Sequence, residues 1–314
     1  MALTINTNIS SLIAQRNLSG ATLSLNKAIE RMTTGYKINR ASDNAAGYSI
    51  ANQWRIQLSS LDVAADNATT GVDLLTTAEE TYSLLSSHIQ RIRDLTEQAS
   101  NGTYGSASLK AIKTEIQARL EEINRIGSNA EFNGIKLMDG KGIGANGLDL
   151  QVGLYSDPNS RINLSQSLFG DASISGLFSS ALAQVQKVNN SVTTLNTNLE
   201  DVAAACAGLQ KSGSAYILGG NTVLARDMLT FLDNAIDDIS KRTMEIGAAQ
   251  NRLESAITAI DVQSENLTSS LSTLRDADIA EESSSYIQSQ ILQQAAATLL
   301  ATANQTPSIA LNLL

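Results

Sequence analysis

The chain has 314 residues, with 22 basic and 31 acidic side chains and a formal net charge of −9. This acidic balance argues against nucleic-acid binding, which requires clustered lysines and arginines. The single cysteine, Cys206, rules out an internal disulfide framework. No run of about 18 apolar residues occurs, so we expect no membrane insertion. Met1–Gln15 lacks the basic start and the unbroken apolar run of a cleaved signal peptide.

Apolar residues spaced three and four apart recur along most of the chain and predict long helices that pack along a seam. In chain order the spacing covers Leu18–Met32, Leu58–Ile89, Leu109–Ile123, Phe178–Leu209 and Leu229–Leu274. The last stretch predicts a helix about 70 Å long at 1.5 Å per residue. A helix of that length needs packing partners along it, and the earlier stretches supply them.

The period changes between Phe132 and Leu164. An Asn-Gly pair and repeated glycines precede the alternating residues Leu148, Leu150 and Val152. Alternation and turn residues of this kind predict short strands joined in hairpins, at about residues 131–165. The predicted fold class is therefore mainly α: an elongated antiparallel helical bundle or coiled coil with one small β-hairpin region.

No group of residues predicts catalysis. "GIGANG" at Gly142–Gly147 satisfies the G-x-G-x-x-G pattern, but a strand-like stretch follows it where a dinucleotide site needs a helix. His88 is the only histidine and lies on an amphipathic helix, and Cys206 occupies a seam position typical of a small buried side chain. The acidic cluster at Arg275–Glu282 is interpreted as the capped start of a final helix. We expect no enzyme activity, no metal and no cofactor.

Both ends of the chain lack charged side chains: the first is Arg16, and none occurs in Ser283–Leu314. Each end nevertheless carries an apolar stripe at helical spacing. The stripes are Ile5, Ile9 and Leu12 at the start, and Ile287, Ile291, Ala295 and Leu299 at the end. Each stripe is too thin to fold alone, so we expect the two to pair. Uncharged faces can be buried without desolvating ions, which predicts an assembly interface between copies.

Several segments of the sequence resemble bacterial flagellin. They are "INTNISSL" from Ile5, "AIERMTTGYKINRASDNAAGYSIAN" from Ala28, "EFNGIKLM" from Glu131, "GAAQNRLESAI" from Gly247 and "QILQQAAATLLATANQTPSIALNLL" from Gln290. The resemblance implies a structural subunit that polymerises into the flagellar filament for motility. The sequence departs from the family pattern at Ser42 and Asn44, where a basic residue and a second acid are usual.

The resemblance also implies a layered organisation. Residues 1–43 and 275–314 would form an inner coiled coil in which the N- and C-terminal helices pair. Residues 44–170 and 216–274 would form an outer helical bundle that carries the hairpins. Residues 171–215 would be a short variable insert, and the heptad spacing predicts that it is helical.

The partners and location follow from the same resemblance. The subunit would form a homopolymer through repeated heterologous contacts that build an open helix. Export unfolded through the flagellar type III channel, without a cleaved signal peptide, would make it extracellular. A cytoplasmic export chaperone would bind the C-terminal tail, and filament cap and hook-associated proteins would be further partners.

"QRIRDLTEQ" at Gln90–Gln98 resembles the flagellin stretch that Toll-like receptor 5 recognises. The corresponding receptor-binding residues are Gln90, Arg91, Leu95 and Gln98 on one helix, with Glu115 and Arg119 on its neighbour. The same face would pack between subunits in a filament, so recognition would require monomer. A filament contact without receptor binding is the alternative.

Two other functions stay open at the level of sequence. A hook–filament junction protein has a similar size and makes a short adaptor ring, although the ending "ANQTPSIALNLL" favours flagellin itself. An unrelated coiled-coil adaptor is the second alternative, and its oligomers would survive removal of both ends.

Overall fold

The computed structural model describes residues 8–140, 143, 146–171, 202–203, 206–207, 209–212, 215–218 and 222–311. The chain divides into two compact units. The terminal unit comprises Met1–Ser60 and Val262–Leu314, and the central unit comprises Leu61–Asp261. The domain boundaries predicted from the sequence, at 43/44 and 274/275, separate an inner layer of a filament from an outer one. They stay predictions.

The described residues are mainly helical, as predicted. The α-helices are α1 (Ile9–Thr34), α2 (Ala45–Ser100), α3 (Ser106–Asn129), α4 (Thr222–Arg275) and α5 (Ile279–Leu311). The strands form antiparallel pairs: β1 (Glu131–Phe132) with β2 (Ile135–Lys136), β3 (Leu148–Gln151) with β4 (Arg161–Leu164), and β5 (Leu209–Ser212) with β6 (Ala215–Leu218). Short 3₁₀ turns lie at Pro158–Ser160 and Gln166–Phe169.

In the terminal unit, α1 packs against α5, which confirms the predicted pairing of the N- and C-terminal helices. Asn8 caps the start of α1 by accepting a hydrogen bond from the Ser11 N–H at 3.0 Å. Gly35 ends α1 in the left-handed conformation at φ 72°, and its N–H donates to the Arg31 carbonyl. The helix therefore begins and ends on local signals that the sequence carries.

The segment after α1 pairs with the segment between α4 and α5. Tyr36 and Asp276 form an antiparallel β-bridge. The Lys37 N–H donates to the Arg275 carbonyl at 2.6 Å, and the Ala277 N–H donates to the Gly35 carbonyl at 2.9 Å. The Arg275 guanidinium also lies 3.9 Å from the centre of the Tyr36 ring. These contacts fix the point where α1 ends relative to the point where α5 begins.

The core of the central unit is built on the predicted seam positions. All five seam residues of α3 are buried, namely Leu109, Ile112, Ile116, Leu120 and Ile123. From α2, Leu75, Tyr82 and Ile89 are fully buried, and from α4, Leu232 and Leu253 are too. The 3,4 spacing of apolar residues thus identified both the helices and the side that each turns to the core.

The β-hairpins of the predicted region pack on this helical core. Asn133 and Gly134 connect β1 to β2 with φ of 48° and 79°, the pattern of a type I′ turn. Leu150 of β3 lies against Gly71 of α2, where its Cδ1 occupies the space that a side chain at position 71 would need. Glycine at this position therefore allows the hairpin to approach the helix closely.

A helical insert was predicted over residues 171–215, and the structure describes only part of this range. Residues 172–201 lie outside the described residues. Val202, Ala203 and Cys206 are buried, but the chain from Leu209 onward forms β5, so the predicted helix does not extend to Leu209. The reason is local: residues 209–212 and 215–218 flank Gly213 and Ser214, a two-residue separation that favours a hairpin.

Candidate functional site

Four polar contacts set the register of α1 against α5. The Asn8 side chain donates to the Ala303 carbonyl at 2.7 Å, and the Ser11 hydroxyl donates to Asn304 at 2.7 Å. Further along, Gln293 donates to the Thr22 hydroxyl at 3.1 Å, and Arg31 donates to Glu282 at 2.7 Å. The partners lie at 303–304 for the start of α1, at 293 for Thr22 and at 282 for Arg31, so the two helices run antiparallel.

Small residues form the seam between α1 and α5. Ala14 and Ala28 of α1, and Ser289 and Ala296 of α5, are each at most 8 % exposed. Small side chains let two helix backbones approach closely. The seam of α5 therefore follows Glu282, Ser289 and Ala296, a spacing of seven residues.

The prediction that the two apolar stripes pair with each other is wrong. Ile9 is 64 % exposed, Leu12 58 %, Ile287 54 %, Ile291 59 % and Leu299 62 %, and Ala295 is exposed too. On α5, Ile287 and Ile291 lie opposite the seam, about half a helical turn from Ser289, whereas Leu299 lies beside the seam, about 60° around the helix from Ala296. The largest apolar side chains were predicted to make the contact, whereas small side chains make it. Ile5 lies outside the described residues.

The exposed apolar surface is larger than the two predicted stripes. Five further residues of α1 and α5 belong to it: Ile13, Leu23, Ile29, Ile279 and Leu292, each at least 43 % exposed. We call these, together with Ile9, Leu12, Ile287, Ile291 and Leu299, the apolar surface of the terminal unit. These five residues were not predicted, because the two predicted stripes each follow a single row of residues along one helix.

A groove of about 590 Å³ lies on the α1–α5 pair. Its walls include Gly20, Ala21 and Ser24 of α1, and Leu292 and Leu299 of α5. Arg16 is the only charged side chain that lines it. Small apolar and neutral polar side chains line the rest of the groove, which is continuous with the apolar surface through Leu292 and Leu299.

Charged residues cluster instead near the end of α1. Lys27 lies 3.0 Å from the Asp43 carboxylate, which also accepts from the Asn39 and Arg40 N–H groups at 3.3 and 3.1 Å. The hydrogen bond from Lys27, followed by that from the Arg40 backbone, lowers the pKa of Asp43 below its ordinary value. Asn44, one of the two positions predicted to depart from the family pattern, accepts from the Gly47 N–H at 2.9 Å at the start of α2. It therefore has a local structural role.

The start of α5 is capped as the sequence predicted. Asp278 accepts hydrogen bonds from the Ala280 and Glu281 N–H groups at 2.8 and 3.4 Å. Glu282 was grouped with this cap, but its carboxylate reaches α1 and pairs with Arg31. The pairing joins residues 251 apart in sequence, so no local pattern could have shown it.

The structure brings three of the six predicted receptor-binding residues into one ionic cluster across α2 and α3. The Glu115 carboxylate lies 3.0 Å from the Arg91 Nη2 and 3.7 Å from the Arg119 Nε. All three side chains are 35–43 % exposed. The Arg119 Nη1 also lies 3.4 Å from the His88 Nδ1, so the histidine belongs to the cluster. From the sequence, His88 was assigned only a place on an amphipathic helix, although it stands three residues before Arg91.

The other three predicted receptor-binding residues differ in exposure. Gln90 and Gln98 are exposed and are within reach of a partner. Leu95 is 2 % exposed and belongs to the core, so its side chain presents no surface to a partner. The reason is its helical position, since Leu95 continues the buried row of Ile92 and Ala99. We call Gln90, Arg91, Gln98, Glu115 and Arg119 the Arg91 face.

The described residues show few features of a catalytic or metal site. Within them, no group of three His, Cys, Asp or Glu side chains could hold a metal ion. No described helix is long and apolar enough to cross a membrane. Burial raises the pKa of the Cys206 thiol to about 12, which suppresses the reactive thiolate.

The terminal unit pairs its helices and exposes an apolar surface, and the central unit has a helical core of its own; together these features are typical of an α-helical assembly subunit. Residues 5–142 match the family model of the bacterial flagellin N-terminal helical region, and residues 229–314 match that of the C-terminal helical region. Flagellin B of Vibrio cholerae is 31 % identical, over 100 % of both chains. The flagellar filament 33 kDa core protein of Treponema phagedenis is 32 % identical, over 99 % of both. The chain belongs to the bacterial flagellin family and is a subunit of the extracellular flagellar filament.

A solved structure shares the fold at lower similarity. It is a putative flagellar hook-associated protein from Vibrio parahaemolyticus, 15 % identical with a TM-score of 0.53. The match covers 74 % of this chain and 100 % of the other. At this identity the likeness concerns the fold alone, and the full-length flagellin relatives favour a filament subunit over a junction protein.

Proposed function

We propose that the chain polymerises by burying the apolar surface of its terminal unit against other copies. The observation that carries this proposal is the exposure of Ile9, Leu12, Ile287, Ile291 and Leu299, each more than half exposed in the single chain. Full burial of one such side chain contributes about 2 kcal/mol. Several of them per subunit therefore provide a strong drive for association.

The absence of charge around these residues favours the same assembly. No Asp, Glu, Lys or Arg occurs after Glu282, so copies of α5 can pack together without desolvating ions. The groove on the α1–α5 pair offers small residues against which a neighbouring copy can pack. The role we propose is structural, without catalysis or a cofactor.

The same surface determines the partners that we propose. Before assembly, the exposed apolar residues of α5 need cover, and a cytoplasmic export chaperone at the C-terminal tail would supply it. Filament cap and hook-associated proteins would bind the subunits at the two ends of the filament, where the apolar surface is not covered by a further copy. Export through the flagellar type III channel completes this proposal.

Substitution of Ile291 tests the polymerisation proposal. Ile291→Lys places a charge on the apolar surface, away from the α1–α5 seam, so the monomer should keep its helical circular dichroism. Seeded growth should then yield no filaments by electron microscopy. Ile291→Leu is the matched control, because it keeps the apolar contact and should polymerise normally. Filaments of normal length from Ile291→Lys would overturn the proposal.

We further propose that the monomer is a ligand of Toll-like receptor 5 through the Arg91 face. Two observations support it: Gln90 and Gln98 are exposed, and Glu115 holds the Arg91 guanidinium at 3.0 Å. A fixed, half-exposed arginine keeps donors free for a partner and loses less side-chain freedom on binding. In this proposal Leu95 is a positioning residue that anchors α2 from the core.

Arg91→Ala is the direct test of receptor binding. Purified monomer with this substitution should lose most of its affinity for the receptor ectodomain and most of its activity on receptor reporter cells. Arg125→Ala is the control, since Arg125 makes a comparable ion pair with Glu122 on α3 but lies outside the face. If Arg91→Ala weakens polymerisation while receptor binding is unchanged, the face is a filament contact only.

A further inference from the structure

The sequence contains three Asn-Gly pairs, at Asn101, Asn133 and Asn146. We propose that Asn101–Gly102, in the turn between α2 and α3, is a modification site at which the asparagine deamidates spontaneously. The peptide nitrogen of Gly102, deprotonated by hydroxide or a buffer base, attacks the Asn101 Cγ. The Cγ–Nδ2 bond breaks, ammonia leaves, and a five-membered succinimide forms. Water then opens the ring to aspartate or isoaspartate.

The geometry at Asn101 favours this reaction. The residue follows directly after α2 and is exposed, as is Gly102. The Thr103 N–H donates to the Asn101 Oδ1 at 3.4 Å, which folds the carboxamide over the peptide bond that must attack it. A side chain at Gly102 would meet nothing within 4 Å, in contrast to Gly147, so the backbone has room to rotate; Gly134 is equally open, and there the hairpin conformation is the constraint.

Asn133 has the same local sequence but a constrained backbone. It adopts φ 48° and Gly134 adopts φ 79°, as the type I′ turn requires. Pairing of Phe132 with Ile135 and of Glu131 with Lys136 holds both sides of the turn. Because attack on the Asn133 Cγ requires the backbone to leave this conformation, the hairpin opposes it.

Asn146 is constrained by packing. Its carbonyl accepts a hydrogen bond from the Asn163 side chain at 2.9 Å. The Leu164 carbonyl occupies the space beside the Gly147 Cα where a side chain would project. The peptide bond between Asn146 and Gly147 therefore has no room to turn toward the carboxamide without breaking these contacts.

Deamidation of Asn101 changes the charge at the end of α2. The new carboxylate stands at the negative end of the helix dipole and one turn after Glu97. Isoaspartate also adds a methylene group to the backbone and disrupts the turn. We expect the last turn of α2, which includes Gln98, to exchange its amide hydrogens faster after the reaction.

Timed peptide mass spectrometry of the full-length monomer in mildly alkaline buffer tests the proposal. The mass change of amide-to-acid conversion should appear first in the peptide that contains Asn101, and later at Asn133 and Asn146. Gly102→Ala should slow conversion at Asn101 by roughly tenfold, because a Cβ restricts the rotation that attack requires. In urea-unfolded chain the three sites should convert at similar rates. Faster conversion at Asn133 or Asn146 in the folded chain, an unchanged rate in Gly102→Ala, or the same ranking in urea would each overturn the proposal.

Discussion

The Arg31 guanidinium on α1 lies 2.7 Å from the Glu282 carboxylate on α5, and the two side chains are only 27 % and 11 % exposed. This mostly buried ion pair joins the two helices and fixes their register, since any slip would leave both charges without a partner. The other three polar contacts between α1 and α5 are hydrogen bonds between neutral groups. Such groups can exchange one hydrogen-bond partner for another, so they fix the register less strictly.

Removal of Arg31 should therefore destabilise the terminal unit. We expect Arg31→Ala to lower the local free energy of opening of α1 and α5 by about 2 kcal/mol, because Glu282 loses its charged partner. Native-state hydrogen exchange of the two helices measures this loss. Arg40→Ala is the control: Arg40 pairs with Glu30 but is 71 % exposed, so its effect should stay below about 1 kcal/mol. Equal effects of the two substitutions would contradict the proposed role of the Arg31–Glu282 pair.

The Asp43 carboxylate should titrate below its ordinary pKa of 3.8, because it accepts hydrogen bonds from Lys27 and from two backbone N–H groups. A group with a lowered pKa in the folded state stabilises that state fully above the unfolded pKa, and this contribution is lost as the pH falls through the folded pKa. The contribution of Asp43 should thus decline only below about pH 3.8. Carboxyl NMR titration measures the midpoint, and Lys27→Met should raise it. A midpoint at or above 3.8 in the unaltered chain would contradict the assignment.

Tyr82 should stabilise the central unit through its hydroxyl group. The hydroxyl donates to the Leu168 carbonyl at 3.0 Å and accepts from Arg242 at 3.3 Å, and burial raises the pKa of Tyr82. Tyr82→Phe leaves both partners without this bond and should cost about 1–2 kcal/mol in urea unfolding. Tyr155→Phe should have no measurable effect, because Tyr155 is 62 % exposed. An unchanged free energy of unfolding in Tyr82→Phe would contradict this role and would show that water replaces the lost hydrogen bonds.

Leu95 should act on the Arg91 face through stability rather than contact. Leu95→Ala removes a core side chain and should cost about 2–4 kcal/mol in the free energy of unfolding. Gln98→Ala changes an exposed residue and should cost less than about 0.5 kcal/mol. At temperatures where both variants are folded, Gln98→Ala should lose more affinity for the receptor than Leu95→Ala. A loss of affinity in fully folded Leu95→Ala that exceeds the loss in Gln98→Ala would contradict this division.

The sequence predicted the helices better than it predicted their contacts. The 3,4 spacing located α3 and its five buried residues, and it located α4 from Leu229 onward, because a core-facing side must be apolar along its whole length. The seam of α1 and α5 was misplaced, since it consists of alanine and serine. Small residues carry too weak an apolar signal to compete with the isoleucines beside them.

In the candidate sites, contacts between residues close in sequence could be predicted, whereas contacts between distant residues could not. Asp278 could be predicted as a cap because its bonds reach only two or three residues ahead. The Arg31–Glu282 pair and the approach of His88 to Arg119 join residues far apart in sequence, and one sequence contains no signal for them. Leu95 illustrates the limit of carrying a role over from a family, because resemblance assigns a residue to a face without giving its exposure.

A density map of the filament by electron cryo-microscopy tests the central claim most directly. The claim is that the apolar surface of the terminal unit, exposed in the single chain, is the surface that copies bury. We predict that Ile287, Ile291 and Leu299 contact neighbouring subunits in that map, while α1 and α5 keep the antiparallel seam through Ala14 and Ala296. A filament in which these three side chains face solvent would contradict the claim.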